Sequence, residues 1–306
     1  MSDVHIFNIK LIHIFYNFFL YAFLGWIYES IYVSVKKKNF VNRGFLSGPI
    51  IPLYGLGATL VYIVFWQYRE QYLLVFLGGM ILATLLEYIT SLMMELIFHA
   101  KLWEYSDIKY NFQGRICLRA SLFWGLLSLI MIVFIQPKAI KLLELIPEKQ
   151  GIYLSYIIGV VFLTDMTATI VHVLQLNQLL DELQKIKQEF SDYIESTKLY
   201  ASKEEWKNKF SNIILSDLLE NIKGSFEENK EKLIELNKNR EGFEIVKFKR
   251  EIEKQVKEYL CKFHLRISMT SRIQKRLLTA FPNVKFVKRE DVLKDLKERL
   301  LKHNRK

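Results

Sequence analysis

Within its first 175 residues the chain has five stretches long and apolar enough to cross a bilayer, and that pattern leaves few folds open. Crossing the hydrocarbon core takes about 20 apolar residues in a helix. Lipid gives the backbone no hydrogen-bond partners, so such runs satisfy themselves as helices. They fall at about 11–35, 48–66, 72–97, 117–136 and 151–174. The first is too long for the core of a secretory signal, and no small-residue cleavage site follows it, so it is expected to remain as a span.

Charge divides the chain at about the same place. Residues 1–175 hold 13 Lys and Arg against 10 Asp and Glu, and residues 176–306 hold the remaining 30 against 22. The predicted fold is therefore all-α: an integral membrane helical bundle of about five transmembrane helices (1–175), followed by a basic cytoplasmic helical tail (176–306) with coiled-coil-like spacing. In that tail Leu176, Leu179, Leu183, Ile186, Phe190 and Tyr193 recur at heptad spacing. A coiled coil and an intramolecular hairpin with the later helical run, Phe243 to Leu278, both fit. A last helix, about 290–302, alternates acids and bases in the manner of a solvated face.

The connections suggest an orientation. Lys36, Lys37, Lys38 and Arg43 follow the first span, Lys101, Lys109 and Arg115 follow the third, and the basic tail follows the fifth. Only Arg69 and Glu70 separate the second and third. Positive residues mark cytoplasmic loops, so an odd number of spans places the N-terminus outside and the tail inside. Lys138, Lys141 and Lys149 run against this, although Glu144 and Glu148 accompany them.

Four carboxylates, Glu29, Glu87, Glu95 and Asp165, lie within the apolar runs. A charge at the bilayer centre costs about 2.5–3.5 kcal/mol on insertion scales, so such groups face a bundle interior and mark function. Thr84, Glu87, Ser91 and Glu95 are spaced to form one polar stripe along the third span. Gly25 lies one turn before Glu29, where another helix can approach closely.

Two further stretches carry chemistry. Asn42-Arg43-Gly44, Ser47-Gly48-Pro49, Pro52 and Tyr54-Gly55 concentrate helix-breaking residues at the start of the second span. Irregular backbone at membrane depth survives only under protein cover or beside water, so a broken or re-entrant start is expected there; a plain cytoplasmic turn is the alternative. The other stretch follows the third span: Trp103, Tyr105, Asp107, Asn111, Arg115 and, one turn into the fourth span, Arg119. Arginine suits capture of carboxylate or phosphate. The candidate pathway or ligand-binding set is thus Glu29, Asn42, Arg43, Tyr54, Glu87, Glu95, Trp103, Tyr105, Asp107, Asn111, Arg115, Arg119 and Asp165. A polar pathway, an anionic-headgroup site and simple neutralisation of carboxylates by arginines all fit that set.

The strings GWIYES, NRGFLSGPIIPLYGLGA, LEYITSLMMELIF, LWEYSD and NFQGRICLRASLFWGL together resemble a bacterial membrane family named the putative ABC-transporter permease family. The resemblance covers about 15–175, and RLLTAFPNVK near the C-terminus is similar to endings of some members. It places the family's motifs on Gly25, Trp26, Glu29, Asn42, Arg43, Gly44, Gly48, Pro49, Tyr54, Gly55, Glu87, Glu95, Trp103, Tyr105, Asp107, Asn111, Gly114, Arg115 and Trp124.

Several classes find no motif. There is no G-x-x-x-x-G-K-[ST] phosphate loop, so a permease of this kind would need a separate ATPase subunit. There is no H-E-x-x-H, no G-x-S-x-G and no dinucleotide loop, so no cofactor is expected. The cysteines, Cys117 and Cys261, and the scattered histidines match no metal spacing. The basic tail carries no nucleic-acid recognition motif and is expected to attract anionic lipid headgroups. Three readings follow: a transport component, a membrane-embedded enzyme or headgroup binder at the cytoplasmic face, and a scaffold or signalling protein acting through its tail, whose heptad face leaves a homo-oligomer open. No motif favours the enzyme.

Overall fold

The computed structural model describes residues 5–6, 9–196, 242–286 and 289–303; expectations for 197–241 lie outside the described residues. The chain divides into two compact units, 1–174 with 272–287, and 175–271 with 288–306. The first unit holds the apolar helices α1 (Leu11–Lys37), α2 (Pro52–Phe65) and α3 (Tyr72–Phe98). They are followed by α4 (Leu118–Ile130), α5 (Gln136–Glu144) and the part of α6 (Glu148–Ser196) up to Leu174. The short α8 (Arg272–Ala280) completes the unit, and α7 (Gly242–Ser268) and α9 (Glu290–His303) belong to the second.

Four described helical segments are long and apolar enough to cross a membrane: Leu11–Lys37, Tyr72–Phe98, Leu118–Glu144 and Glu148–Tyr193. Their outward faces leave Ile81, Leu85, Leu96, Val160 and Leu163 exposed, as a lipid-facing surface requires. Between α4 and α5 the helix widens into a π turn, Met131–Ile135. Pro137 explains it: proline has no N–H for the carbonyl of Val133, and its ring crowds that carbonyl.

The second expected span differs from the rest. Its helix α2 has only 14 residues, about 21 Å against a hydrocarbon core of about 30 Å. Residues 38–51 before it are irregular. Lys38 turns the chain in the left-handed region (φ 55°), and Pro52 sits in the first turn of α2. The Ile51 N–H then donates to the Ala22 carbonyl (2.9 Å) in the middle of α1. Ala22 lies roughly 22 Å along the axis from the C-terminal end of α1. The segment after α1 therefore folds back along that helix before α2 begins.

Contacts define two ends of this unit. At one, β1 (His5–Ile6) pairs antiparallel with β2 (Ile9–Lys10) just before α1, Tyr16 Oη donates to the Gly151 carbonyl (2.5 Å), and Ile12, Tyr16 and Leu143 form a small core. At the other, α1 ends, α3 ends, and β3 (Ala100–Lys101) pairs antiparallel with β6 (Lys285–Phe286). A two-stranded turn, β4 (Asn111–Phe112) with β5 (Ile116–Cys117), leads into α4. Segment 38–51 and α2 jointly run from the second end towards the first.

Within the second unit the heptad face of α6 packs on α7 of the same chain. Phe190 lies 5.3 Å from Tyr259 between ring centroids, and Arg266 pairs with Glu182 at 3.3 Å. The order of these contacts is antiparallel, as in a helical hairpin. Arg289 and Asp295 tie α9 and the turn before it to Asp181 and Lys187 of α6.

Candidate functional site

Segment 42–51 is held by side chains that supply the partners an irregular backbone lacks. Asp165, on α6, accepts from the Ser47 N–H (3.1 Å) with Oδ1 and from the Gly48 N–H (2.8 Å) with Oδ2. Arg276, on α8, donates to the carbonyls of Gly44 (2.7 Å) and Phe45 (2.9 Å). Asn42 accepts from Trp26 Nε1 (2.8 Å) and the Gly44 N–H (3.0 Å), and donates to the Ser47 carbonyl (2.9 Å). Ser30 of α1 accepts from the Arg43 N–H. Deep backbone is tolerated where protein meets its hydrogen bonds, and here three helices, α1, α6 and α8, do so together with Asn42 of the segment itself.

The carboxylates divide into three settings. Glu29 accepts from Tyr54 Oη (2.9 Å) and faces Arg43 Nε at 3.7 Å. Arg43 also donates to the Ala280 carbonyl and lies over the Phe281 ring, 4.3 Å from its centroid. Glu95 pairs with Arg115 (2.7 Å) and approaches Lys101 (4.0 Å), while Arg115 also reaches Ser91. Glu87 is 3% exposed and meets no cation among the described residues: Tyr105 Oη donates to Oε1 and Trp124 Nε1 to Oε2, both at 3.0 Å. Burial, then the charges of Glu87 and Glu29, push the Tyr105 phenol well up, so it stays protonated and keeps donating.

The loop residues split between structure and surface. Trp103 Nε1 donates to the Arg115 carbonyl (3.1 Å). Asn111 closes the turn by donating to the Ile108 carbonyl (2.7 Å) and accepting from the Gly114 N–H (3.1 Å). Asp107 and Arg119 are exposed. Lys285 of β6 pairs with Glu104 (2.5 Å) and holds that carboxyl below its ordinary range.

Next to Glu87 lies a cavity of about 250 Å³ between α1, α2, α3 and α4, lined by Tyr21, Tyr28, Tyr54, Glu87 and Trp124 among mostly aliphatic neighbours. Close helix contact sets its walls. A Cβ on Gly25 would run into the Tyr54 ring, and one on Gly55 would come within 2.5 Å of the Phe18 carbonyl oxygen. Tyr54 and Trp124 meet edge to face, centroids 5.2 Å apart, so the Glu29 and Glu87 clusters adjoin. Beyond the cavity Tyr21 Oη donates to Gln136 Oε1 (2.6 Å), and Gln136 Nε2 to Asn17 Oδ1 (3.2 Å).

Sequence reasoning did not single out Asn17, Gln136 or Arg276. A lone amide beside Pro137 carries no motif, and Arg276 lies in a basic stretch where its charge is unremarkable. The irregular spacing around Pro137 was the one available signal for Gln136.

A model of the family described as putative ABC-transporter type IV matches residues 16–170. The chain belongs to that family. The match takes in most of α1, all of α2 to α5 and most of the membrane part of α6, and so Glu29, Glu87 and Glu95 with the side chains that hydrogen-bond or pair with them. Neither a curated protein nor a solved structure matches the chain. It is thus an all-α, ABC-transporter-type membrane protein, and Arg276 lies outside the matched region.

Proposed function

We propose that this chain is the membrane-spanning component of a transport system whose ATP-hydrolysing subunit is a separate chain. The supporting observation is the broken second pass together with the cavity beside Glu87. A helix too short for the hydrocarbon core, a backbone segment returning to mid-bundle and a buried carboxylate with no cationic partner among the described residues are a costly combination in a bundle built only for stability. In this reading Glu87, Tyr105, Tyr54 and Glu29 form a polar route from the cavity towards the end where α1 and α3 finish. Segment 42–51, braced by Asp165 and Arg276, forms its movable wall.

That end carries Lys36, Lys37, Lys38, Arg43, Lys101, Lys109 and Arg115 and is taken as cytoplasmic, with the N-terminus outside. The second unit would then be a cytoplasmic docking module, its excess of Lys and Arg drawn to anionic headgroups. Arg43 and Arg115 are engaged by carboxylates of this chain, so anion capture by those two groups draws no support from their contacts.

Isolation of the full chain in mild detergent from its own cells tests the reading. An ATP-hydrolysing subunit is expected in fixed ratio with it. Repeated recovery of the chain alone would count against transport. A changed lipid composition in a deletion strain would favour the enzymatic alternative instead.

A further inference from the structure

The cavity beside Glu87 has a composition that selects its occupant. Among the described residues Glu87 is the one Asp, Glu, Lys or Arg in its lining; the other polar groups are tyrosines, Trp124 and Ser128. An anion would therefore meet a carboxylate and no counter-charge. A neutral apolar molecule would leave that carboxylate facing hydrocarbon, which is costly.

A cation is served twice. Among the described residues each oxygen of Glu87 accepts one hydrogen bond, leaving acceptor capacity in a group with about four lone-pair sites. Tyr54, Trp124 and Tyr28 add aromatic faces and edges to the same wall, and a cation over such a face gains about 0.5–2 kcal/mol. Aliphatic residues such as Leu53, Leu86 and Met131 complete the lining. Size follows from volume. An engineered apolar cavity of about 150 Å³ holds benzene, so about 250 Å³ takes about ten non-hydrogen atoms.

We propose that this cavity binds a lipophilic organic cation, its ammonium group against Glu87 and the rings of Tyr54 and Trp124, its apolar body among the aliphatic side chains. Binding stands on the cavity itself; that such a cation is also the transported substrate rests on the transport reading.

Three probes of equal size separate the possibilities by isothermal titration against the full chain in lipid nanodiscs. These are benzyltrimethylammonium, its neutral isostere neopentylbenzene, and the anion phenylmethanesulfonate. The cation is expected to bind at least about tenfold more tightly than either of the others. Glu87→Gln should remove that preference. Gly57→Leu, whose side chain would enter the cavity, should weaken all binding whatever happens to Glu87→Gln. Equal binding of cation and isostere would overturn the proposal and leave a plain apolar void; preference for the sulfonate, or no binding of the cation, would overturn it as well. The ligand series decides even if a variant fails to fold. Cation binding without an ATPase partner would sink only the transport reading, and a stable ATPase complex without cation binding would sink only this one.

Discussion

At Asp165 both carboxylate oxygens take backbone N–H groups from residues 47 and 48, 117 or more positions away in sequence. Gly48 is half-buried, and loss of its N–H partner costs about 1–3 kcal/mol where water cannot replace it, whereas the exposed Ser47 N–H can turn to water. Asp165→Ala should therefore lower thermal stability in detergent by about the cost of the Gly48 bond, and Asp165→Asn, which keeps one acceptor, by less. No shift in either variant would remove Asp165 from this role. Gly25→Ala belongs to the same scale. Its methyl group would strike the ring of Tyr54, whose hydroxyl binds Glu29, and overpacking of this kind costs about 1–3 kcal/mol. Unfolding temperatures measured with Gly25→Ala should fall, and an unchanged value would mean that α1 and α2 do not meet so closely.

Single residues also mark how far the sequence speaks. Charge in an apolar run is legible because it is expensive, so Glu29, Glu87, Glu95 and Asp165 stand out without any structure. Arginines close by in sequence suggest counter-charges, and the observed pairs are Arg43 with Glu29 and Arg115 with Glu95. The partners of Asp165 are backbone groups, which every residue but proline has, and no pattern announces them. The cavity is equally silent, since it depends on how four helices pack around positions such as Gly57.

Among the elements, β6 tests how the returning segment is fastened. Its Lys285 pairs with Glu104, whose carboxyl titrates below the ordinary value of 4.5. A carboxyl depressed on folding contributes stability that is complete above its unfolded value and is lost as pH falls through the lowered folded value. Protection from hydrogen exchange at Lys285–Phe286, taken relative to the intrinsic amide rate at each pH, should therefore be full at pH 6 and fall as pH drops through that lowered value. Glu104→Gln should show the reduced protection at pH 6 already, and protection that does not change with pH in the wild-type chain would contradict the pairing. The helices themselves were the most legible elements, because their apolar length is dictated by the bilayer. The heptad face of α6 was legible as a face, but not its partner, since residues 176–193 would pack equally on another copy or on α7. Proline and glycine at 44–52 announced a broken element, while the 14-residue length of α2 depends on where segment 38–51 finds its hydrogen bonds.

For the whole molecule, the passage of the chain from one side of the membrane to the other depends on the second pass. If α2 and the irregular segment cross together, α1 and α3 run in the same direction, and so does α6. The segment 272–287 then returns to the end where α1 finishes, bringing Arg276 to the carbonyls of Gly44 and Phe45. Arg276→Ala should loosen that end without disturbing the far end, which limited proteolysis at residues 38–51 would detect as faster cleavage. Equal protection in variant and wild type would separate Arg276 from the bracing of segment 38–51.

Two-sided thiol labelling tests the broken second pass most directly. In a Cys261→Ser background, where the remaining Cys117 is buried, Ser47→Cys and Glu70→Cys each place one reactive thiol at an exposed position. A membrane-impermeant reagent applied to right-side-out and inside-out vesicles should reach position 47 from the cytoplasmic side alone and position 70 from the opposite side alone. Labelling of both positions from one side would show that segment 38–51 and α2 enter and leave by the same face, and the polar route built on their crossing would not exist.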